Sequence, residues 1–126
     1  MARAPWNRRR VGARVERRVA RWLRARGLRI EATNVRCGRG EIDIVAKEGT
    51  CLVFVEVRHR RGTQSGHPAE TIGVQKRRAL LSAAAHYLAG CPAPPRVRFD
   101  VVAAVGDPEG ELVLEHLRDA FDGSEL

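Results

Sequence analysis

Two runs of alternating side chains, Glu41 to Lys47 and Cys51 to Arg58, stand on either side of Glu48-Gly49-Thr50 and predict a β-hairpin. The second run carries Val53-Phe54-Val55, β-branched and aromatic residues that fit a half-buried pleated strand. Alternation places Glu41, Asp43 and Val45 on one face of the first strand, and Leu52, Phe54, Glu56 and Arg58 on one face of the second. With Glu48-Gly49 as a two-residue turn, Asp43 pairs with Phe54 and Glu41 with Glu56. Asp43 and Glu56 are then diagonal neighbours on one face, roughly 7 to 8 Å apart at the backbone. A one-residue slip would send them to opposite faces. Acids this close repel each other unless a cation lies between them. Mg²⁺ suits the position, because it takes one or two carboxylates and completes its shell with water and substrate phosphate. The plainer alternative pairs both acids with nearby arginines, an arrangement that adds little stability when buried.

The chain has 126 residues, the size of one domain with a single core, which excludes a multidomain enzyme. Val11 to Arg26 repeats its apolar residues Val11, Val15, Val19, Trp22 and Leu23 at helical spacing, and Gly27 is a plausible stop. Leu28 to Asn34 reads as a short strand, and Cys37-Gly38-Arg39-Gly40 as a turn. A polar loop at Gly62 to Gly66 precedes a helix from about Ala69 to Ala89, ended by Gly90 and Pro92. Arg96 to Val105 is a strong buried strand and Leu112 to Leu117 a weaker one. The order α-β-β-β-α-β-β predicts an α/β domain, a mixed sheet covered by helices. The domain should span 11–117, with a flexible basic arm at 1–10 and an acidic turn or tail at 118–126.

Net charge is +8, and only Lys47 and Lys76 among the basic residues are not arginine. Eleven arginines and one acid, Glu16, fall within residues 1–30, whereas residues 107–126 hold seven acids and one base. A codon bias toward arginine would spread the charge evenly; its concentration indicates a basic surface for a polyanion, and guanidinium forks match phosphate oxygens. Aromatic residues make up only 5%, which favours backbone contact with duplex or branched nucleic acid over stacking on single strands. No stretch is long and apolar enough to span a membrane, and no signal peptide is visible, so a cytoplasmic protein is expected. Cys37, Cys51 and Cys91 lack C-x-x-C spacing and read as reduced, mostly buried thiols. The four histidines form no zinc-ligand spacing.

Glu16 lies at the rim of the first helix's apolar stripe, beside Gly12 and Leu23, so it should point toward the sheet edge. A helix-neighbour pairing with Arg9, Arg17 or Arg21 is the alternative. Asp100 on its buried strand is read as a partner for a neighbouring Arg rather than as a ligand.

These residues carry a resemblance. Gly12-x-x-x-Glu16-x-x-x-Ala20, Asn34-Val-Arg36, Gly40-Glu41-Ile42-Asp43-Ile44, Val53-Phe54-Val55-Glu56-Val57-Arg58-x-Arg60, Lys76 and Arg98-Phe99-Asp100-Val101-Val102 resemble, in order and over nearly the whole chain, the YraN family of small bacterial proteins. That family is in turn similar to the restriction-endonuclease-like, or PD-(D/E)XK, nucleases and to archaeal Holliday junction resolvases. The resemblance implies a restriction-endonuclease-like central mixed sheet flanked by helices, with Mg²⁺ or Mn²⁺ held by Glu16, Asp43 and Glu56. Two positions depart from the pattern. Val15 stands beside Glu16 where Gly is frequent, and Arg58 occupies the lysine position of E-x-K, a replacement also found among YraN-like sequences. Arg remains charged where a buried Lys can lose its proton, so Arg58 would orient phosphate and stabilise charge in the transition state.

The leading expectation is therefore a metal-dependent endonuclease or resolvase-like protein on structured DNA, with Glu16, Asp43, Glu56 and Arg58 as its catalytic set. Arg36, Arg39, Arg60, Arg61, Lys76, Arg77 and the first-helix arginines would contact nucleic acid. Dimerisation is expected by analogy with junction resolvases. The alternative is a nucleic-acid-binding module of the same fold without chemistry, for which Arg58 is the best support. A third reading is a protein-interaction adaptor whose acidic tail masks the basic face.

Overall fold

A computed structural model of the protein describes residues 8–38, 40–62, 73–93 and 95–121, with side chains from residue 12 onward. In chain order the elements are α1 (Arg8–Ala25), β1 (Arg29–Cys37), β2 (Gly40–Glu48), β3 (Cys51–Arg60), α2 (Val74–Ala89), β4 (Arg96–Gly106) and β5 (Leu112–Leu117). This is the expected α-β-β-β-α-β-β order, folded as one five-stranded mixed sheet with spatial order β1-β2-β3-β4-β5. Only β3 and β4 run parallel, and α2 lies in the crossover that a parallel pair requires.

The helices cover opposite faces of the sheet. Val15, Val19, Ala20 and Leu23 of α1 pack on Ile44, Ala46, Val53, Val55 and Val102. Leu80, Leu81, Ala83 and Ala84 of α2 pack on Val45, Leu52, Phe54 and Phe99. Strands buried on both faces read as continuous apolar runs, which explains Val53-Phe54-Val55 and Val101 to Ala104.

Several boundaries differ from the sequence expectation. The first helix starts at Arg8 and not at Val11, so residues 8–10 of the expected arm are helical, while residues 1–7 lie outside the described residues. The second helix starts at Val74 and not near Ala69, because Gly73 is extended, with φ −61° and ψ 156°. Most of the Gly62 to Gly66 loop and residues 122–126 lie outside the described residues. β1 continues past Asn34 to Cys37, through a register shift between Ile30 and Ala32. The three cysteines are free but half-buried, not mostly buried.

The hairpin register also differs, in a way that matters for the site. Glu48 pairs with Cys51 and Val45 with Phe54, so the turn is Gly49-Thr50 and Asp43 does not pair with Phe54. Gly49 takes a left-handed φ of +60°, which glycine adopts without a Cβ penalty and which a tight two-residue hairpin turn requires. The correction is an even one. It keeps Asp43 and Glu56 together and makes them the next two residues beyond the last backbone pair, Ile44 with Val55.

Beyond that pair the hairpin is kinked. Ile44 belongs to the α1-side core and Ile42 to the α2-side core, although residues two apart in a regular strand share a face. Asn34 and Asp43 stand between the pairs Thr33–Ile44 and Val35–Ile42, and Asn34 has φ +52°. The left-handed residue swaps the faces of the outer half of β1 and β2, and Asp43 sits at the swap. At the C-terminus the chain folds back on β4: the Ala120 N–H donates to the Phe99 carbonyl at 2.7 Å, and Phe121 stacks on Phe99 at 4.9 Å.

Candidate functional site

Three acids meet at the kink. Asp43 arrives from β2, and its Oδ2 accepts the backbone N–H of Val57 at 2.8 Å, so a side chain takes an amide of β3 where the β2–β3 ladder has ended. Glu56, on β3, is 4% exposed and is one of two buried acids among the described residues. Glu16 reaches across from α1, two turns from the Leu23 end of its apolar stripe, and is hydrogen-bonded by the Asn34 side chain. No pairing of Glu16 with Arg17 or Arg21 forms among the described residues, and the Arg9 side chain lies outside them; Glu16 points to the sheet, as its wheel position predicts.

The electrostatics follow from this crowding. Burial and the adjacent Asp43 carboxylate push Glu56 up to about 8, against the pull of Lys76. Burial and Asp43 push Glu16 up to about 7, with the Asn34 hydrogen bond opposing. Burial also raises Asp43, and the Val57 N–H opposes it. Each glutamate lies within hydrogen-bond reach of Asp43, and a bond forms only while one carboxyl of the pair holds a proton. Once they ionise, Oε2 of Glu16 and Oε2 of Glu56 are buried with no donor to satisfy them. Buried oxygens without donors are costly, and a cation is the group that would satisfy several at once.

Among the described residues, no three His, Cys, Asp or Glu side chains are placed to hold one metal ion together, so a cation here would draw on two of the acids at a time. The acids instead form a chain with Asp43 in the middle. That arrangement fits Mg²⁺ or Mn²⁺, since Mg²⁺ takes one or two carboxylates and leaves its other positions to water and phosphate. It does not fit a closed structural zinc site, which needs four protein ligands.

The cations around this chain are distributed differently from the sequence expectation. Arg58 follows Glu56 on the same face of β3, half-buried, and its Nε is enclosed without a partner. Lys76, expected among the nucleic-acid contacts, places Nζ 3.4 Å from Oε1 of Glu56 at the start of α2 and so belongs to the acid cluster. Arg36, Arg60 and Arg61 are exposed and Arg77 is half-buried; Arg39 lies outside the described residues. Two first-helix arginines are committed elsewhere. Arg18 donates to the Pro108 and Gly110 carbonyls at 2.9 Å each, and Arg14 pairs with Glu109, so both hold the β4–β5 turn. Arg17, Arg21 and Arg24 instead line a cleft of about 420 Å³ between α1 and β1, together with Ala13, Glu16, Ala20, Thr33 and Asn34.

Asp100 is not part of this centre. It is fully buried and gripped by Arg98 through two contacts of 2.8 Å, by Nε2 of His116 at 2.7 Å and by the Asp119 N–H at 2.9 Å. Burial alone would raise its pKa, but these donors outweigh it and hold the carboxyl down to about 2. Arg98 also reaches Glu48 at 2.8 Å, which Arg118 contacts from the other side, so the network ties β4, β5 and the β2–β3 turn together. The expected role of Asp100 as an arginine partner is the one it has, and the arginine is Arg98.

Asn34 is not among the site residues that the sequence points to. The available signal was an amide residue inside a strand, where Asn is disfavoured but left-handed backbone is tolerated.

Comparison with known proteins agrees with this reading of the chain as one family unit. The model of uncharacterised protein family UPF0102 matches residues 15–104, from Val15 in α1 to the end of the buried β4 run. A UPF0102 protein of Chromohalobacter salexigens is 46% identical over 114 residues, covering 90% of this chain and 92% of its own. One from Symbiobacterium thermophilum is also 46% identical, covering 90% and 97%, and one from Beutenbergia cavernae is 45% identical, covering 86% and 92%. No helix among the described residues is long and apolar enough to cross a membrane. All three acids of the kink fall inside the matched region, and the chain belongs to the uncharacterised family UPF0102, the YraN-like family that its motifs resemble.

Proposed function

We propose that this protein is a metal-dependent endonuclease of the restriction-endonuclease-like type, acting in the cytoplasm on structured DNA. The observation that carries the reading is the position of Asp43 between Glu16 and Glu56, at a kink that leaves two buried carboxylate oxygens without donors. Clustered carboxyls pushed toward neutrality by burial and by one another are a mark of functional sites, because a fold gains no stability from them. Asp43 and Glu56, joined by Glu16, would hold Mg²⁺ or Mn²⁺. When bound, such an ion supplies Lewis acidity toward a phosphodiester and toward water.

The chain's own residues do the rest. The Glu56 carboxyl, at about 8, keeps its proton near neutral pH and so avoids direct charge repulsion with Asp43 until a cation and substrate arrive. Lys76, 3.4 Å from Glu56, supplies a positive charge that favours release of that proton. Arg58 keeps its charge and has an enclosed Nε with no partner, so it can donate to a phosphate oxygen and orient it. Asn34 fixes Glu16 by a hydrogen bond and, through its left-handed φ, fixes the kink itself.

The second reading, a binding module without chemistry, draws on Arg58 at the position where E-x-K nucleases have lysine. Incubation with linear, flapped and four-way junction DNA under Mg²⁺ and Mn²⁺, beside Glu56→Ala, separates the two. Cleavage by the parent chain that Glu56→Ala abolishes supports the nuclease. Binding without cleavage in either metal, together with no effect of metal on thermal stability, overturns it. A junction substrate also suits a two-fold dimer, and the sedimentation of the free protein and its DNA complex tests that part.

A further inference from the structure

We infer that the cleft between α1 and β1 is the seat of one sugar-phosphate strand, held by Arg17, Arg21 and Arg24 and led by them to Glu16. The arginines of α1 divide by position. Arg14 and Arg18 are spent on the β4–β5 turn, Arg14 in an ion pair and Arg18 on main-chain carbonyls, and neither lines the cleft. Arg17, Arg21 and Arg24 line it, are exposed, and have no ion-pair partner among the described residues. They follow one another at spacings of four and three, so they form a row along one face of the helix. At 1.5 Å per residue the row extends about 10 Å, long enough for three guanidinium forks to reach successive phosphates of one strand.

What joins this cleft to the acid chain is shared lining. Glu16 and Asn34 border the cleft and also contact each other beside Asp43. A strand lying along the arginine row therefore passes its next phosphate to the acids at the kink. Ala13 and Ala20 lie one turn to either side of Glu16 and are small enough to admit a backbone there. A regular row of guanidiniums with no ion-pair partner among the described residues suits the evenly spaced single charges of a phosphodiester better than the irregular charges of an acidic peptide. The sequence expects nucleic-acid contact from all the first-helix arginines without choosing among them, and the contacts expected at Arg60, Arg61 and Arg77 lie away from α1.

The inference rests on the nucleic-acid reading above but not on cleavage, and its test reads binding alone. The affinity of the full chain for a fluorescent four-way junction is measured from 50 to 200 mM salt in EDTA. It is compared with R17Q/R21Q/R24Q and with the charge-matched R29Q/R78Q/R96Q, whose residues lie outside the cleft. Each phosphate contact contributes about 0.9 to the slope of log affinity against log salt. Loss of three contacts lowers the slope by about 2.7, so across this fourfold salt range the cleft variant loses about 40-fold less affinity than the parent. The matched variant should keep the parent slope. Equal slopes for all three proteins, or an equal fall in both variants, overturn the inference, the second because it reports net charge only. Tighter binding of a poly-glutamate peptide than of DNA, abolished only in the cleft variant, would assign the cleft to an acidic protein segment and also overturn it. A parent that binds DNA with this slope but cleaves nothing leaves the cleft assigned and removes the nuclease.

Discussion

Replacing Glu56 by glutamine should make the metal-free protein more stable in alkali while abolishing its response to divalent cations. The folded Glu56 carboxyl holds its proton to about pH 8, whereas the unfolded chain releases it near the ordinary 4.5. Between those values the folded state binds more protons, so stability falls as pH rises through the window, and the slope vanishes below 4.5 and above 8. At about 1.4 kcal/mol per pH unit, the full window amounts to on the order of 4 to 5 kcal/mol. Set against a total of about 5 to 15 kcal/mol for a typical domain, that is a large fraction. Glutamine has no proton to lose, nearly the same shape, and an amide that can donate to Asp43 as the protonated carboxyl does. Removing the partner of Lys76, whose side chain is 48% exposed, costs little, about 0 to 1 kcal/mol.

Thermal unfolding of parent and Glu56→Gln from pH 5 to pH 9, in EDTA and in excess Mg²⁺, reads the effect directly. The parent should lose stability steadily toward pH 9 in EDTA, and Mg²⁺ should restore most of the loss, because it binds the ionised acids of the folded state. The variant should have a shallower slope, not a flat one, since Glu16 and Asp43 are also raised. It should gain nothing from Mg²⁺. Parallel pH slopes in the two proteins would refute the assignment of Glu56 as a carboxyl held protonated by burial beside Asp43.

Substitutions at three other positions test the frame around the site. Arg98→Ala strands fully buried Asp100 beside His116 and should cost about 3 to 5 kcal/mol in urea unfolding, the usual result of breaking one side of a buried ion pair. At position 34, Asn34→Gly keeps the left-handed turn but loses the hydrogen bond to Glu16, so Mg²⁺ protection should weaken with little change in metal-free stability. Asn34→Val, β-branched at φ +52°, should instead destabilise the fold by about 1 to 3 kcal/mol. A Cβ at Gly40 would run into the Ala79 carbonyl of α2, so Gly40→Ala should cost about 1 to 3 kcal/mol, seen as a lower melting temperature.

The order of elements was legible because each carries its own period. Val15, Val19 and Leu23 repeat at helical spacing, Val53-Phe54-Val55 is a strand buried on both faces, and Gly90 ends a helix where expected. The hairpin register was not, because alternation is unchanged when the pairing moves by an even step; Gly49-Thr50 and Glu48-Gly49 give the same faces. The glycine does not decide between them either, because a left-handed Gly49 can serve at either turn position. Helix starts were misread for a related reason: α2 has no side-chain cap on Gly73, and α1 begins within a run of arginines that is compatible with either helix or arm.

The three acids expected together from sequence lie together although the pairing assumed for two of them differs, and the kink explains why. A regular hairpin can present Asp43 and Glu56 together on one face, but an acid from the helix on the other face would then be screened by the sheet. The left-handed Asn34 exchanges faces at Asp43, so one carboxylate is reachable from Glu16 on the α1 side and from Glu56 toward α2. Convergence of acids from both layers thus depends on a residue with no charge. It follows that the site should be lost more completely by straightening β1 at position 34 than by removing any one arginine around it. Loss of one arginine leaves the other cations in place, whereas Asn34 decides whether Asp43 can be reached from both faces of the sheet.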